Sequence, residues 1–217
     1  MRLFLASTSP ARLATLNAAG IEPIAIAPGV DEEAAVAERE ERDGPLAPAD
    51  MVQLLARLKA EAVVRAVEEA LEGLGEGDAL VFGGDSAFAF DGTIYGKPHL
   101  PERARERWLA YRGRHGVLHS GHWLILVREG RVVDAVGEPS SAEVHFAADL
   151  SEAEIDAYVA TGEPLKVAGA FTIDARGAAF IDRIVGDPST VVGLSIPLLR
   201  RLAGRLGVAW PELWNRD

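Results

Sequence analysis

The chain has 217 residues, 48% of them hydrophobic and 25% charged, which is typical of one globular domain or two small lobes. Its 22 basic and 33 acidic side chains leave a net charge of −11. That charge argues against binding to DNA or RNA, so a polyanionic ligand must be held by a few placed cations or a metal. The absence of cysteine excludes disulfides, thiol catalysis and Cys-ligated zinc.

No apolar run approaches the roughly 18 residues that a membrane-spanning helix needs. The apolar stretch over residues 3–6 is too short for a secretory signal. We therefore expect a cytoplasmic protein that has neither a membrane partner nor a nucleic-acid partner.

The N-terminal part of the chain predicts a strand that leads into a capped helix. Residues 2–6 are mostly apolar and predict a short buried strand. Ser9 and Pro10 are the residue types favoured at the N-cap and at the first helical position. Gly20 is typical of a helix end, so we expect this helix to stop at about residue 19.

The remaining patterns predict a mixture of helices and strands. The longest helix is expected from about Pro48 to Leu71, where apolar residues recur at helical spacing. Asp91-Gly92 predicts a tight hairpin turn. In chain order we also expect a strand over 22–27, an acid-rich polar loop over 31–41, strands over 79–83, 86–90 and 93–95, a helix over 101–112, strands over 117–128 and 131–146, a capped helix over 151–161, a strand over 176–185 and a helix over 197–205.

Strands and helices alternate too irregularly for a purely parallel sheet, and the hairpins require antiparallel pairs. The sequence therefore predicts an α/β fold with a mixed sheet flanked by helices. We expect a single domain over residues 1–217, with a division into two lobes near 145–150 as the alternative.

Ser7, Ser9 and Arg12 form a candidate phosphate-binding segment. A strand that runs into a helix start leaves backbone N–H groups which, with the helix dipole, suit an anion. Arg12 lies in the first helical turn, where a cation opposes the dipole unless a bound phosphate compensates. The alternative is an ordinary capped helix in which Arg12 points to solvent or pairs with an acid.

Asp85 is the candidate catalytic acid. It follows Gly83-Gly84 at the end of a predicted strand, where glycines let a ligand approach the backbone closely. A carboxylate at such a strand end can bind a metal or activate water, and a turn aspartate that bonds its own backbone is the alternative. The acidic run 31–33 supplies a second carboxylate for magnesium, or is a solvated surface run.

The basic and imidazole side chains elsewhere are weaker signals. Lys59 lies in the predicted long helix and Lys97 in a tight extended turn, and the stem of either can simply cover apolar surface. His115, His119 and His122 resemble a set of metal ligands. Residues 119 and 122 face opposite sides of a strand, however, so we do not expect a three-histidine site.

Four blocks of sequence, in order and at compatible spacing, resemble the Maf family of nucleotide pyrophosphatases over almost the full chain. Each block alone is modest, and the ordered set is specific. The blocks are residues 5–12 (LASTSPAR, similar to LAS-x-SPRR), 30–32 with 57–60 (VDE and RLKA), 84–86 with 96–98 (GDS and GKP), and 163–171 with 191–194 (EPL…AGAF and VVGL).

The resemblance implies an elongated α/β fold whose sheet bends around a central cleft between two lobes, a homodimer, and a divalent metal, Mg²⁺ or Mn²⁺. It implies that Asp85 is the general base that activates water and that Glu32 and Asp85 hold the metal. It also brings the phosphate site and the acid site into one cleft. The substrate-binding residues that it implies are Ser7, Ser9, Arg12, Lys59, Lys97 and Asp174.

Departures from the family pattern concern the base of the nucleotide. Ala11 replaces the first arginine of the family's pair, and Lys166-Val167 replaces Asp-Lys before AGAF. Asp174 stands where the branch that prefers dTTP and UTP has glutamine, and resembles the branch that acts on 7-methyl-GTP. An acid there can pair with a guanine N–H edge or with a cationic methylated base. Ala11 fits neither branch cleanly, so the base stays open.

The predicted activity is metal-assisted hydrolysis of a canonical or modified nucleoside triphosphate to its monophosphate and pyrophosphate. One rival is a nucleotide-binding regulator of septum formation without important turnover, because the family has been linked to division arrest. Another rival is a phosphatase of a different fold, although the DxDx[TV] pattern of the haloacid dehalogenases is missing.

Overall fold

The computed structural model describes residues 1–74 and 77–215, which form an α/β structure. The strands are β1 (Arg2–Ala6), β2 (Ile24–Ala25), β3 (Ala79–Phe90), β4 (Thr93–Tyr95), β5 (His115–Arg128), β6 (Arg131–Phe146) and β7 (Ile181–Val185). The α-helices are α1 (Pro10–Ala18), α2 (Glu32–Asp43), α3 (Pro48–Leu74), α4 (Pro101–Tyr111), α5 (Glu152–Ala160), α6 (Pro188–Val192) and α7 (Ile196–Arg205). Short 3-10 helices span Glu163–Lys166, Ala168–Ala170, Arg176–Phe180 and Trp210–Leu213. In these described residues, no helix is both long and apolar enough to cross a membrane.

The strands form one mixed sheet in the order β2-β1-β3-β5-β6-β7, with β4 paired to β3. Strand β1 runs parallel to β2 and to β3. The pairs β3–β4 and β6–β7 are antiparallel. The predicted fold class, a mixed sheet flanked by helices, is therefore confirmed.

The described residues fall into two compact units, each assembled from separate stretches of chain. The first unit lies within residues 1–85, 120–140 and 193–217, and the second within 86–119 and 141–192. Strands β3, β5 and β6 contribute residues to both units. The single domain with a break near 145–150 stays a prediction.

In the first unit, β1 is buried on both of its faces. Leu3 and Leu5 join a cluster that contains the buried leucines of α7, whereas Phe4 and Ala6 join a cluster that contains apolar residues of α3. Because successive side chains of a strand point to opposite faces, α7 and α3 cover opposite sides of this part of the sheet. This double coverage explains why the strand is a continuous apolar run.

The second unit has a core of aromatic rings. Phe88 is fully buried, and its ring packs edge-on against Phe146 and Phe171 at centroid distances of 6.0 and 4.9 Å. Trp108 is also fully buried, and its indole N–H donates to the carbonyl of Ala170 at 2.7 Å. The bulk of these rings fills the core, and the hydrogen bond removes the cost of burying the indole N–H.

The predicted polar loop over 31–41 is wrong, because Glu32–Asp43 forms helix α2. Asp31 is its N-cap, and the Asp31 carboxylate accepts from the N–H of Ala34 at 3.0 Å. The two glutamates of the first turn place negative charge at the positive end of the helix dipole. The acids that suggested a solvated loop are therefore the signals that start a helix.

The C-terminal part of the chain differs from the prediction in detail. The strand expected over 176–185 is confirmed only in its second half, because Arg176–Phe180 is a 3-10 helix. Helix α6 and the 3-10 helix Trp210–Leu213 have no counterpart in the sequence prediction. The capping box of α5 and the hairpin of β3 and β4 are confirmed.

The contact between α3 and β3 depends on Gly83. A Cβ atom at this position would lie 2.1 Å from the carbonyl oxygen of Ala56 and 2.7 Å from the backbone nitrogen of Ala60. The backbone of α3 therefore rests directly on the strand. Asp85 lies two residues further on the same face, so this close approach also brings Lys59 of α3 beside it.

Replacing Gly83 by alanine should destabilise the protein by at least about 1–3 kcal/mol, because the methyl group collides with the α3 backbone, which cannot rotate away. Urea unfolding followed by circular dichroism measures the change. The matched control is Gly204→Ala inside α7, where no atom lies within 4 Å of the added methyl group. That control should stabilise the protein by roughly 0.5–1 kcal/mol. Equal midpoints for the two variants would contradict the proposed contact.

Candidate functional site

The candidate site of the first unit lies where the parallel pairing of β1 and β3 ends. The strand end predicted before Asp85 is wrong, because β3 continues through Asp85 to Phe90. Ala6 of β1 pairs with Gly83 of β3, so the residues that follow each of them emerge at the same edge. Ser7 begins the turn into α1, and Asp85 is the second residue of β3 beyond the pair. Ligands of parallel sheets bind at such edges, because loops and helix starts converge there.

Arg12 is buried at the start of α1, with only 8% of the residue exposed. Its Nε–H donates to the carbonyl of Gly193 at 2.8 Å, and its Nη1 donates to Oγ of Ser7 at 3.1 Å. Burial lowers the pKa of the guanidinium, against the charges of Asp85 and Glu32, which raise it. The side chain therefore points inward as a fixed cation, since an arginine stays charged in a protein.

The turn from Ser7 to Ser9 is fixed by its own hydroxyl groups. Oγ of Ser9 is the N-cap of α1 and accepts from the N–H of Arg12 at 3.4 Å, as expected from the sequence. Oγ of Ser7 accepts from the N–H of Ser9 at 3.1 Å. The positive end of α1 and the Arg12 guanidinium thus lie together, an arrangement that suits a phosphate group.

Lys59 connects two carboxylates. Its Nζ lies 2.7 Å from Oδ1 of Asp85 and 2.7 Å from Oε1 of Glu32. The lysine and aspartate side chains are only 8% and 13% exposed, whereas that of Glu32 is 49% exposed. Arg12, which is bonded to Ser7, also interacts through its charge with Asp85 and Glu32. We name the set of Ser7, Arg12, Glu32, Lys59 and Asp85 the site cluster.

The pKa of Asp85 is raised above the ordinary range of an aspartate. Burial is the main cause, and it outweighs the cations Lys59 and Arg12, which lower the pKa. Glu32 raises it further, because two nearby carboxylates disfavour a second negative charge. A carboxylate with a raised pKa is a stronger base, which is what abstraction of a proton from water requires.

Gly84 lets the arginine lie against β3. A Cβ atom at this position would lie 3.1 Å from Nε of Arg12 and 3.0 Å from the ring of Phe82. A side chain at this position would crowd the guanidinium, which would have to shift by a few tenths of an ångström. The two glycines before Asp85 therefore have separate roles, Gly83 toward α3 and Gly84 toward Arg12.

The divalent metal stays a prediction, and the carboxylates of the site cluster are the donors that bear on it. Glu32 and Asp85 offer carboxylate oxygens on either side of Lys59. Within residues 1–74 and 77–215, no group of three His, Asp or Glu side chains is close enough to hold a metal alone. Magnesium is commonly bound by one or two carboxylates together with substrate phosphates and water, so the donors fit that cation.

Two predicted site residues lie in the second unit. Lys97 is exposed in the segment between β4 and α4. Asp174 is exposed just before the 3-10 helix Arg176–Phe180. Participation of these two residues in substrate binding stays a prediction.

Sequence reasoning missed the groups that hold the cluster in place. The carbonyl of Gly193 binds Arg12, and no side-chain pattern could reveal a backbone acceptor. His122 is fully buried, with its ring 5.7 Å from that of Phe82. The apolar run that follows His122 over residues 123–127 was the available signal for a buried, hydrogen-bonded ring.

Comparison with known proteins identifies one family and a set of full-length relatives. The family model described as "Maf-like protein" matches residues 2–206. A protein named nucleoside triphosphate pyrophosphatase from Leifsonia xyli subsp. xyli is 64% identical over 100% of this chain and 98% of its own length. Proteins of the same name from Salinispora tropica and Nocardia farcinica are 51% and 48% identical, over 100% and 98% of this chain and 88% and 96% of their own lengths.

The raised pKa of Asp85 predicts a pH-dependent stability. The folded state binds the proton more tightly than the unfolded state, so the stability due to Asp85 is greatest at low pH. It is lost as the pH rises from the ordinary aspartate range through the raised folded pKa. Relative to Asp85→Asn, which does not titrate, the wild type should lose stability as the pH is raised above the ordinary aspartate range. Urea unfolding at increasing pH measures the difference, and two parallel curves would contradict the raised pKa.

Proposed function

Since the chain belongs to the Maf family, we propose that it is a nucleoside triphosphate pyrophosphatase, a hydrolase that acts on an acid anhydride. Its substrate is a canonical or modified nucleoside triphosphate, which it splits into the monophosphate and pyrophosphate. The names of its full-length relatives support this activity. The observation that carries it is the buried carboxylate of Asp85 bonded to the buried ammonium of Lys59, with Arg12 beside them.

The triphosphate binds with its phosphates at the positive end of α1. Arg12 donates hydrogen bonds to the phosphate oxygens, and the Ser7–Ser9 turn presents backbone N–H groups to them. The hydrogen bond from Arg12 to Gly193 holds the guanidinium in place before substrate arrives, so the side chain loses little conformational entropy on binding. Lys97 provides a further cation from the segment after β4.

Asp85 handles the proton of the reaction. A water molecule attacks the α-phosphorus, its proton passes to the Asp85 carboxylate, and the bond from the α-phosphorus to the bridging oxygen breaks. That oxygen leaves with the pyrophosphate. Lys59 and Arg12 stabilise the charge that builds up on the leaving group, because they are already in position and shielded from water.

A divalent cation, Mg²⁺ or Mn²⁺, supplies Lewis-acid stabilisation of the phosphate charge when it is bound. Glu32 and Asp85 hold it together with phosphate oxygens. Glu32 stands at the start of α2 with its carboxylate half-exposed, so it would be accessible to the cation from solvent.

The base, the location and the assembly complete the proposal. The base itself stays open. The Asp174 carboxylate can accept from a guanine N–H edge or attract a cationic methylated base, so guanine and 7-methylguanine nucleotides are included among the substrates to be compared. Ala11 removes an arginine that the thymine- and uracil-preferring branch uses, which agrees with a different base. We place the enzyme in the cytoplasm as a homodimer, with no nucleic-acid or membrane partner.

Asp85→Asn should lower kcat by about 10²–10⁴-fold, because the amide cannot accept the proton of water. The measurement is pyrophosphate release from a panel of canonical and 7-methylated nucleoside triphosphates. Asp134→Asn is the matched control. Its exposed side chain only accepts from the N–H of Ala135, which an amide oxygen can also do, so its rate should equal the wild-type rate.

The same assay separates an enzyme from a regulator. A wild-type protein that binds triphosphates without releasing pyrophosphate would be a nucleotide-binding regulator, and the proposal would fail. Normal turnover by Asp85→Asn would leave hydrolysis in place but remove Asp85 from the role of base.

Chelation with EDTA should abolish turnover, and added Mg²⁺ or Mn²⁺ should restore it. Glu32→Gln should raise the metal concentration for half-maximal rate by about tenfold, because one anionic ligand is lost. Saturating metal should recover most of kcat. The control is Glu33→Gln, an exposed neighbour in the same helical turn, which removes the same charge. Equal metal requirements for the two glutamine variants would exclude Glu32 as a ligand.

A further inference from the structure

His122 of β5 is fully buried in the first unit. It takes no part in the proton transfer of the proposed reaction. Its Nε2 lies 2.8 Å from the backbone nitrogen of Ser195, and its Nδ1 lies 3.1 Å from the carbonyl of Ser120. A backbone N–H can only donate, so Nε2 accepts from Ser195. The proton of the neutral ring is therefore on Nδ1, from which it is donated to Ser120.

The residue that His122 binds is part of the segment that holds Arg12. Ser195 is the N-cap of α7, and Gly193 lies two residues before it. The Gly193 carbonyl accepts from Nε of Arg12 at 2.8 Å. His122 thus fixes the backbone from one side, and the same stretch of backbone fixes the guanidinium from the other.

The backbone of His122 is also tied to the helix that carries Lys59. The side chain of Gln53 in α3 donates to the carbonyl of His122 at 2.9 Å and accepts from its N–H at 3.2 Å. At the preceding residue, a Cβ atom on Gly121 would lie 2.1 Å from the carbonyl oxygen of Val52. Helix α3 therefore rests on β5 at His122, about six residues or 9 Å along its axis before Lys59.

We propose that His122 is a positioning residue that sets the place of Arg12, and through it the grip on the phosphates, by accepting the hydrogen bond of Ser195. It contacts neither substrate nor metal in this role. The inference rests on the proposed function for its consequence in binding, whereas its effect on Arg12 is a property of the folded protein alone.

Three substitutions separate the acceptor from the bulk of the ring. His122→Leu fills space but leaves the Ser195 N–H without its acceptor. His122→Gln reaches with an amide oxygen to about the position of Nε2 and restores it. His122→Asn reaches only the position of Nδ1, so it satisfies Ser120 and not Ser195. His115→Leu is the control, since that histidine is exposed.

The direct readout is hydrogen exchange at Nε of Arg12, followed by NMR with nitrogen-labelled arginine. We expect exchange in His122→Leu and His122→Asn to be at least about tenfold faster than in the wild type, because the carbonyl of Gly193 is no longer held in place. His122→Gln and His115→Leu should exchange at the wild-type rate. Should the leucine variant fail to fold, the comparison of Gln with Asn carries the same information.

The functional readout is calorimetric binding of inorganic pyrophosphate with Mg²⁺. His122→Leu should weaken binding by about tenfold, the effect of one misplaced charge-assisted hydrogen bond. In an Arg12→Ala background the same change should weaken it by less than about twofold, because the two residues act as one unit. Additive losses would show that His122 acts by packing alone and would overturn the inference.

Two other results would also overturn it. One is unchanged Arg12 exchange in His122→Leu, and the other is equal impairment by Gln and Leu. A wild-type protein that binds no pyrophosphate would refute the phosphate grip. Wild-type binding without any triphosphate hydrolysis would refute the proposed function and leave the positioning role of His122 standing.

Discussion

The buried contact between Lys59 and Asp85 is the constraint on which this site depends. Their charged atoms lie 2.7 Å apart, although the two residues are 26 positions apart along the chain. Both side chains are largely shielded from water. Even with this pair, burial still raises the pKa of Asp85. The protein thus keeps a buried carboxylate, whose charged form is disfavoured, at the position where the proposed reaction needs a base.

Glycine packing makes that contact achievable. Because Gly83 has no side chain, the backbone of α3 lies directly on β3 and carries Lys59 to the carboxylate. Gly84, the next residue, leaves room for the side chain of Arg12. Gly121 of β5 likewise lets the backbone of α3 lie directly on the strand, next to His122. Helix α3 and its Lys59 are therefore positioned by close backbone contacts, which tolerate less displacement than side chains do.

Much of the local structure was predictable from the residues alone. The capped helix after Ser9, the long helix from Pro48 and the hairpin at Asp91-Gly92 follow from capping, periodicity and turn chemistry, and all three are confirmed. Helix α2 was missed because an acid-rich segment was taken for a loop, although Asp31 is a good N-cap. The ordered motif blocks also identified the family, and the matching family model confirms it.

The sequence by itself determined which residues carry charge and chemistry, because residue type and spacing along one strand or helix are local properties. Only the tertiary structure decided that Arg12, Glu32, Lys59 and Asp85 meet, and that a backbone carbonyl at Gly193 holds the arginine. These groups lie as many as 181 positions apart along the chain. Their meeting depends on strand register and helix packing, which no local pattern encodes.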